Sequence, residues 1–121
     1  ELPDYFDPTV RQLQPLGLTV ILAHPERMKA VQSNPALSSR FRDLGLLLQG
    51  NLNAISGGEG ETAQRVAHDY LRTGQYFMLG SDLHNLASLP GRMKGLAIAR
   101  ELVGPAEFDR LTRVNPSMLL E

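Results

Sequence analysis

Apolar positions along the chain recur at two spacings, and each spacing predicts its own kind of element. Phe6, Val10 and Leu13 fall at i, i+4 and i+7, which places them on one face of a helix. Gly17 follows where a helix commonly ends. Next comes Leu18-Thr19-Val20-Ile21-Leu22-Ala23, a nearly continuous apolar run of the kind that predicts a strand covered on both faces. It stops at His24-Pro25. Asn34-Pro35 has the form of an N-cap followed by proline at the first helical position, predicting a helix to about Leu44. Leu46-Leu47-Leu48-Gln49 begins a second strand expected to end near Asn53. Residues 56–60, Ser-Gly-Gly-Glu-Gly, are a loop. Ala63, Val66, Ala67, Tyr70 and Leu71 return to helical spacing until Gly74. Tyr76-Phe77-Met78-Leu79 is a third strand, and Met93, Leu96 and Ala97 mark a helix ended by Gly104. Pro105 opens a last helix through Phe108 and Leu111, before a short turn at Asn115-Pro116.

Strands separated by helix-length connections predict parallel pairing in right-handed βαβ units, so the expected class is α/β. The 121 residues suffice for one domain. Ligands of such folds bind where the carboxyl ends of the strands meet the following loops. The residues just past each predicted strand are therefore the candidates: His24-Pro25-Glu26-Arg27, then Gln49, Asn51 and Asn53, then Ser81-Asp82-Leu83-His84-Asn85. Asp82 and His84 stand two apart, on one face of extended chain, where both could reach one metal or two adjacent ones. The alternative is a turn-forming Ser-Asp with a surface histidine. His24 is either a ligand or a near-core histidine bonded to backbone, with Pro25 fixing its direction. Arg27 either offers its two-pronged guanidinium to phosphate oxygens or pairs with Glu26 at the surface. His68, inside a helix and away from any strand end, reads as a helix-surface residue. The glycine-rich loop lacks the Gly-Lys-Ser/Thr ending of a phosphate cradle and carries Glu59 and Glu61, which repel phosphate. It is expected to be a flexible loop over the mouth of a site.

Composition narrows the chemistry. The absence of cysteine excludes cysteine-nucleophile phosphatases and zinc–thiolate sites and accords with a cytoplasmic location. A net charge of −1, from 12 basic and 13 acidic residues with no basic run, argues against nucleic-acid or anionic-membrane partners. The longest apolar run is far too short to span a bilayer. Gly-x-Ser-x-Gly is absent, so no serine triad is assigned. The chain opens at Glu1 rather than Met, which predicts a segment of a longer protein.

Ile21-Leu22-Ala23-His24-Pro25-Glu26-Arg27, followed by Gly80-Ser81-Asp82-Leu83-His84-Asn85, resembles the manganese-dependent protein-tyrosine phosphatases of bacterial capsule and exopolysaccharide operons. These are the CpsB/CapC/YwqE type of the PHP (polymerase and histidinol phosphatase) superfamily. Glu1-Leu2-Pro3, Gln49-Gly50-Asn51 and the closing Asn115-Pro116 with Leu119-Leu120 extend the likeness over essentially the whole chain. The resemblance implies that residues 1–121 are a partial PHP domain, the carboxyl-terminal half of a distorted (β/α)7 barrel. The amino-terminal half, with its His-x-His motif, would come from a further segment or another chain. Implied metal ligands are Glu1, His24, Asp82 and His84, in a multinuclear site for Mn²⁺; a carboxylate–imidazole set also accepts Fe²⁺ or Zn²⁺. Arg27 would bind the substrate phosphate and, with His24, carry the catalysis. Leu89 stands where the family has a second phosphate-binding arginine, and Arg92 is the nearby candidate for that role. The implied reaction is hydrolysis of phosphotyrosine by a metal-bound hydroxide. The expected partner is a phosphotyrosine protein such as a bacterial tyrosine kinase. Two other readings stand beside it: a PHP phosphatase of a small phosphorylated metabolite, and an incomplete domain acting as a binding or regulatory module.

Overall fold

The computed structural model describes residues 2–83 and 85–120. Among these, three short strands, β1 (Ile21–Ala23), β2 (Leu47–Asn51) and β3 (Met78–Gly80), pair in parallel in the order β1-β2-β3. Ile21 lies opposite Leu47, and Gln49 sits opposite both Ala23 and Met78. The α/β class and the parallel pairing expected from the alternation are thus present. The helices are α1 (Phe6–Leu13), α2 (Lys29–Ser33), α3 (Leu37–Asp43), α4 (Leu52–Ile55), α5 (Glu61–Arg72), α6 (Leu89–Val103), α7 (Pro105–Asp109) and α8 (Asn115–Met118), with a wide π-type turn at Arg110–Val114 before α8.

Central β2 carries the interior. Leu48 packs there with Val31 of α2, Phe41 of α3, Ile55 of α4 and Tyr70 of α5, all essentially inaccessible to water. Burial of a side chain of this size is worth about 1.5–3 kcal/mol, so these few residues supply much of the fold's driving force. Helix α6 packs on α4 at close range, because Gly95 lies against the Leu52 carbonyl. A Cβ at that glycine would collide with backbone, which cannot yield as a side chain can.

Several elements depart from expectation for local reasons. The apolar run 18–23 was expected to be covered on both faces, yet only residues 21–23 form strand, at the edge of the sheet. Leu18 is 53% and Ile21 38% exposed. An edge strand has a neighbour on one side only; Leu22 packs against the core, and the described residues leave open the opposite face, which carries Ile21 and Ala23. Asn34 does not N-cap α3: its N–H donates to the Ala30 carbonyl at 2.9 Å as the C-cap of the unforeseen α2, and its own carbonyl accepts from Leu37 N–H at 3.1 Å in the turn leading to α3. The second strand stops at Asn51, whose side chain accepts from Asn53 N–H and caps the four-residue α4.

His68 is not the free surface residue its helical setting suggested. It is half-buried on α5, and its Nε2 lies 2.8 Å from the carbonyl of Ile55, the last residue of α4. A carbonyl only accepts, so Nε2 carries the proton. Gln64 Nε2 donates to the same oxygen at 3.2 Å, so deleting the ring leaves that carbonyl a partner. His68→Ala is therefore expected to lower unfolding free energy by about 1 kcal/mol in urea titration, the value of one ordinary hydrogen bond. A change below about 0.3 kcal/mol would mean the contact contributes nothing in solution.

Candidate functional site

The chain leaves β1 and β3 in the same unusual way. His24 (φ 42°) and Asp82 (φ 47°) are the two non-glycine residues with positive φ among the described residues. A left-handed backbone costs an L-residue about 1–2 kcal/mol, and histidine and aspartate tolerate it better than most. At His24 the strain is compounded by Pro25, since residues before proline favour extended conformations. Such strain persists only where the surroundings enforce it, and here they do. His24 N–H donates to the Gln49 carbonyl at 2.8 Å, prolonging the β1–β2 ladder by one rung. Pro25–Arg27 then form a single 3-10 turn, closed by Arg27 N–H on the His24 carbonyl at 3.0 Å. On the other side, Arg92 of α6 donates Nε to the Ser81 carbonyl and Nη2 to the Asp82 carbonyl, the latter at 2.8 Å.

These turns meet at a cavity of about 100 Å³ at the carboxyl ends of the strands, lined by His24, Gln49, Asn51 and Asp82 and by the small residues Gly50 and Gly80. A larger cavity of about 600 Å³ lies elsewhere, between the opening residues and α2–α3, and holds the Asp7–Arg40 ion pair. The smaller one is where imidazole and carboxylate meet, with the Arg27 guanidinium beside it. Arg27 reaches across from the first turn to the third: its Nη1 donates to Asp82 Oδ2 at 3.4 Å, and its Nε lies 3.8 Å from Glu59 Oε2. Its side chain remains 43% exposed, open to a ligand from solvent.

Glu26 faces the other way. The sequence allowed it as a surface partner of Arg27, but it is fully buried. Its Oε1 accepts from Tyr76 Oη at 2.5 Å and from Asn51 N–H at 3.2 Å. Oε2 has no hydrogen-bond partner among the described residues. Burial therefore outweighs the two donors, and the carboxyl pKa rises from 4.5 to about 7. Tyr76, buried against this carboxylate and edge-on to Tyr70 at 5.6 Å, is pushed well above the usual tyrosine range. Glu26 thus ties the turn bearing His24 and Arg27 to β2 and to the approach to β3.

A carboxyl whose folded pKa exceeds its unfolded value stabilises most below the unfolded pKa, and that contribution is lost as pH rises through the folded one. In metal-free protein, the stability of wild type relative to Glu26→Gln is therefore expected to fall between about pH 4.5 and pH 7. The total is on the order of 3 kcal/mol, at about 1.4 kcal/mol per pKa unit. Denaturant titrations of both proteins across that range measure the difference. A pH-independent gap would place the titration elsewhere.

Of the residues singled out by sequence, the fold brings His24, Asp82 and Arg27 together and sets Arg92 behind the Asp82 turn, 6% exposed, with its donors on backbone carbonyls. Glu1 and His84 lie outside the described residues. Among the described residues, no three His, Cys, Asp or Glu side chains converge as a metal-holding group. His24 and Asp82, one imidazole and one carboxylate at one cavity, fit a hard-to-borderline divalent cation as part of a ligand set, not as the whole of it. Sequence reasoning missed Glu26 and Glu59. The first was hidden by its charge, because its burial depends on Tyr76, 50 residues away. The second was discounted because its loop was expected to be free.

A parallel α/β sheet with polar turns gathered at its carboxyl edge defines a class of ligand-binding and catalytic domains, not one activity. Residues 3–121 match the family described as capsular polysaccharide synthesis, CpsB/CapC, and the chain belongs to that family. It is 28% identical over 102 residues to a Staphylococcus aureus protein named "Putative tyrosine-protein phosphatase CapC", an alignment covering 84% of this chain and 40% of that protein. The fold matches a structure from work on YwqE of Bacillus subtilis and CpsB of Streptococcus pneumoniae, described as unique metal-dependent tyrosine phosphatases. The TM-score is 0.84 at 22% identity, covering 99% of this chain and 49% of that one. The chain therefore spans about half the length of these relatives. No helix among the described residues is long and apolar enough to cross a membrane.

Proposed function

We propose that this chain supplies half of the active site of a metal-dependent phosphoesterase that removes phosphate from tyrosine in protein, in the control of capsule or exopolysaccharide synthesis. The observation that carries the reading is that His24 and Asp82 line one strand-end cavity while Arg27 reaches across to Asp82 beside it. His24 and Asp82, with Glu1 and His84, would hold Mn²⁺ or a similar cation within a multinuclear site completed by a PHP-type barrel's other half. When bound, the metal supplies positive charge against the phosphate and lowers the pKa of a water molecule. Arg27 holds the phosphate through paired N–H donors, which match two phosphate oxygens. Arg92 keeps Asp82 in place by fixing the carbonyls of its turn. A cytoplasmic location and a tyrosine-phosphorylated kinase as substrate accompany this reading.

The intact protein with added Mn²⁺ is expected to hydrolyse a phosphotyrosine peptide, to lose that activity on chelation, and to favour the peptide over a sugar phosphate at least ten-fold in kcat/KM. Preference for the sugar phosphate would make it a metabolite phosphatase. Metal binding without hydrolysis of either would make it a regulatory module.

A further inference from the structure

The loop at residues 56–60 is folded down onto the site. Gly58 N–H donates to the Asn53 carbonyl at 2.8 Å, and Ser56 Oγ donates to the same oxygen at 3.0 Å. Gly57 and Gly60 take φ of 98° and 100°, which side-chain-bearing residues rarely adopt. Gly58 passes so close to Asn53 that a Cβ would run into its amide group. The descent delivers Glu59, whose Oε1 accepts from Asn53 Nδ2 at 3.0 Å while Oε2 stands 3.8 Å from Arg27 Nε.

We propose that Glu59 is a positioning residue for Arg27, an inference that rests on reading Arg27 as the phosphate-binding group. Two carboxylates grip the guanidinium at separate places, Glu59 at Nε and Asp82 at Nη1. Of the five guanidinium N–H groups these contacts take at most the one on Nε and one of the two on Nη1, which leaves the second Nη1 N–H and the Nη2 pair for two phosphate oxygens. A long, exposed arginine otherwise loses rotamer freedom when it engages a ligand, and a guanidinium held beforehand loses less. Asn53 anchors Glu59 in turn, and the absent side chain at Gly58 lets the loop reach Asn53. The charge of Glu59 also repels phosphate, so positioning and repulsion predict opposite signs when that charge is removed.

Glu59→Gln separates them, because the amide oxygen still accepts from Asn53 and keeps the loop docked while the ion pair is lost. In the intact protein with Mn²⁺, kcat/KM for p-nitrophenyl phosphate is expected to fall three- to ten-fold, mainly through KM. The loss should vanish when Arg27 is already replaced by alanine, as coupled residues require. A rise in kcat/KM, or an equal loss with and without Arg27, overturns the proposal. The NMR signal of the Arg27 Nε–H group reads the grip without catalysis. It should shift toward the free-arginine position in both Glu59→Gln and Asn53→Ala, and an unmoved signal in both also overturns the proposal. If that signal moves while wild-type protein hydrolyses nothing, the grip on Arg27 stands and the phosphatase reading falls.

Discussion

Arg27→Lys is expected to keep the fold and the bound metal but to lower turnover on an aryl phosphate by about 30- to 1000-fold. Lysine retains the positive charge and cannot offer two parallel N–H donors to two phosphate oxygens. Nor can it be held at two points on one planar group, as Glu59 and Asp82 hold the guanidinium 3.8 and 3.4 Å away. Removing a positioned charge-stabilising donor costs about 2–4 kcal/mol in the transition state, which gives the stated range at roughly 1.4 kcal/mol per factor of ten. An Arg27 serving only as a partly exposed ion pair would contribute about 0–1 kcal/mol to stability, and its replacement by lysine would be almost silent in the assay. Steady-state kinetics with metal content measured on the same samples choose between the two, and wild-type rates would end the phosphate assignment.

Asp82→Asn should act on the metal instead. Asparagine tolerates the left-handed backbone that Asp82 adopts at φ 47°, so the turn survives the change. Asparagine is also near in size to aspartate and leaves the backbone carbonyls of Ser81 and Asp82 available to Arg92. What disappears is the negative charge that a divalent cation needs. Loss of an outer-shell partner to a metal ligand typically costs 10- to 100-fold in affinity or activity; loss of a direct ligand's charge should cost at least about 100-fold in turnover and reduce bound Mn²⁺. Emission spectroscopy on dialysed protein, beside the rate, is the check. Full metal content in Asp82→Asn would remove Asp82 from the ligand set.

Local pattern was enough to find the three strands in order, the helices α1, α3, α5, α6 and α7, the parallel pairing and the turns that carry His24, Arg27 and Asp82. What it could not supply were facts set by distant partners. The run 18–23 reads as buried from its apolar character, yet burial of β1 depends on what lies over it, and the described residues leave Ile21 exposed. Helix α4 is four residues long and continues directly from β2, too short for any periodicity to register. Glu26 and Arg27 are neighbours in sequence and point apart, because the 3-10 turn sends one inward to Tyr76 and the other out to Asp82. Glu59 looked like an obstacle to phosphate until the fold set it against Arg27.

His24 and Asp82, with Arg27 beside them, are proposed to build part of a metal-assisted phosphate site at the strand-end cavity. Anomalous scattering at the manganese edge, from crystals of the intact protein soaked with Mn²⁺ and inorganic phosphate, tests this most directly. Manganese density is expected within bonding distance of His24 and Asp82, with a phosphate oxygen bonded to the Arg27 guanidinium. Manganese bound at other residues, with this cavity holding neither ion, would contradict it.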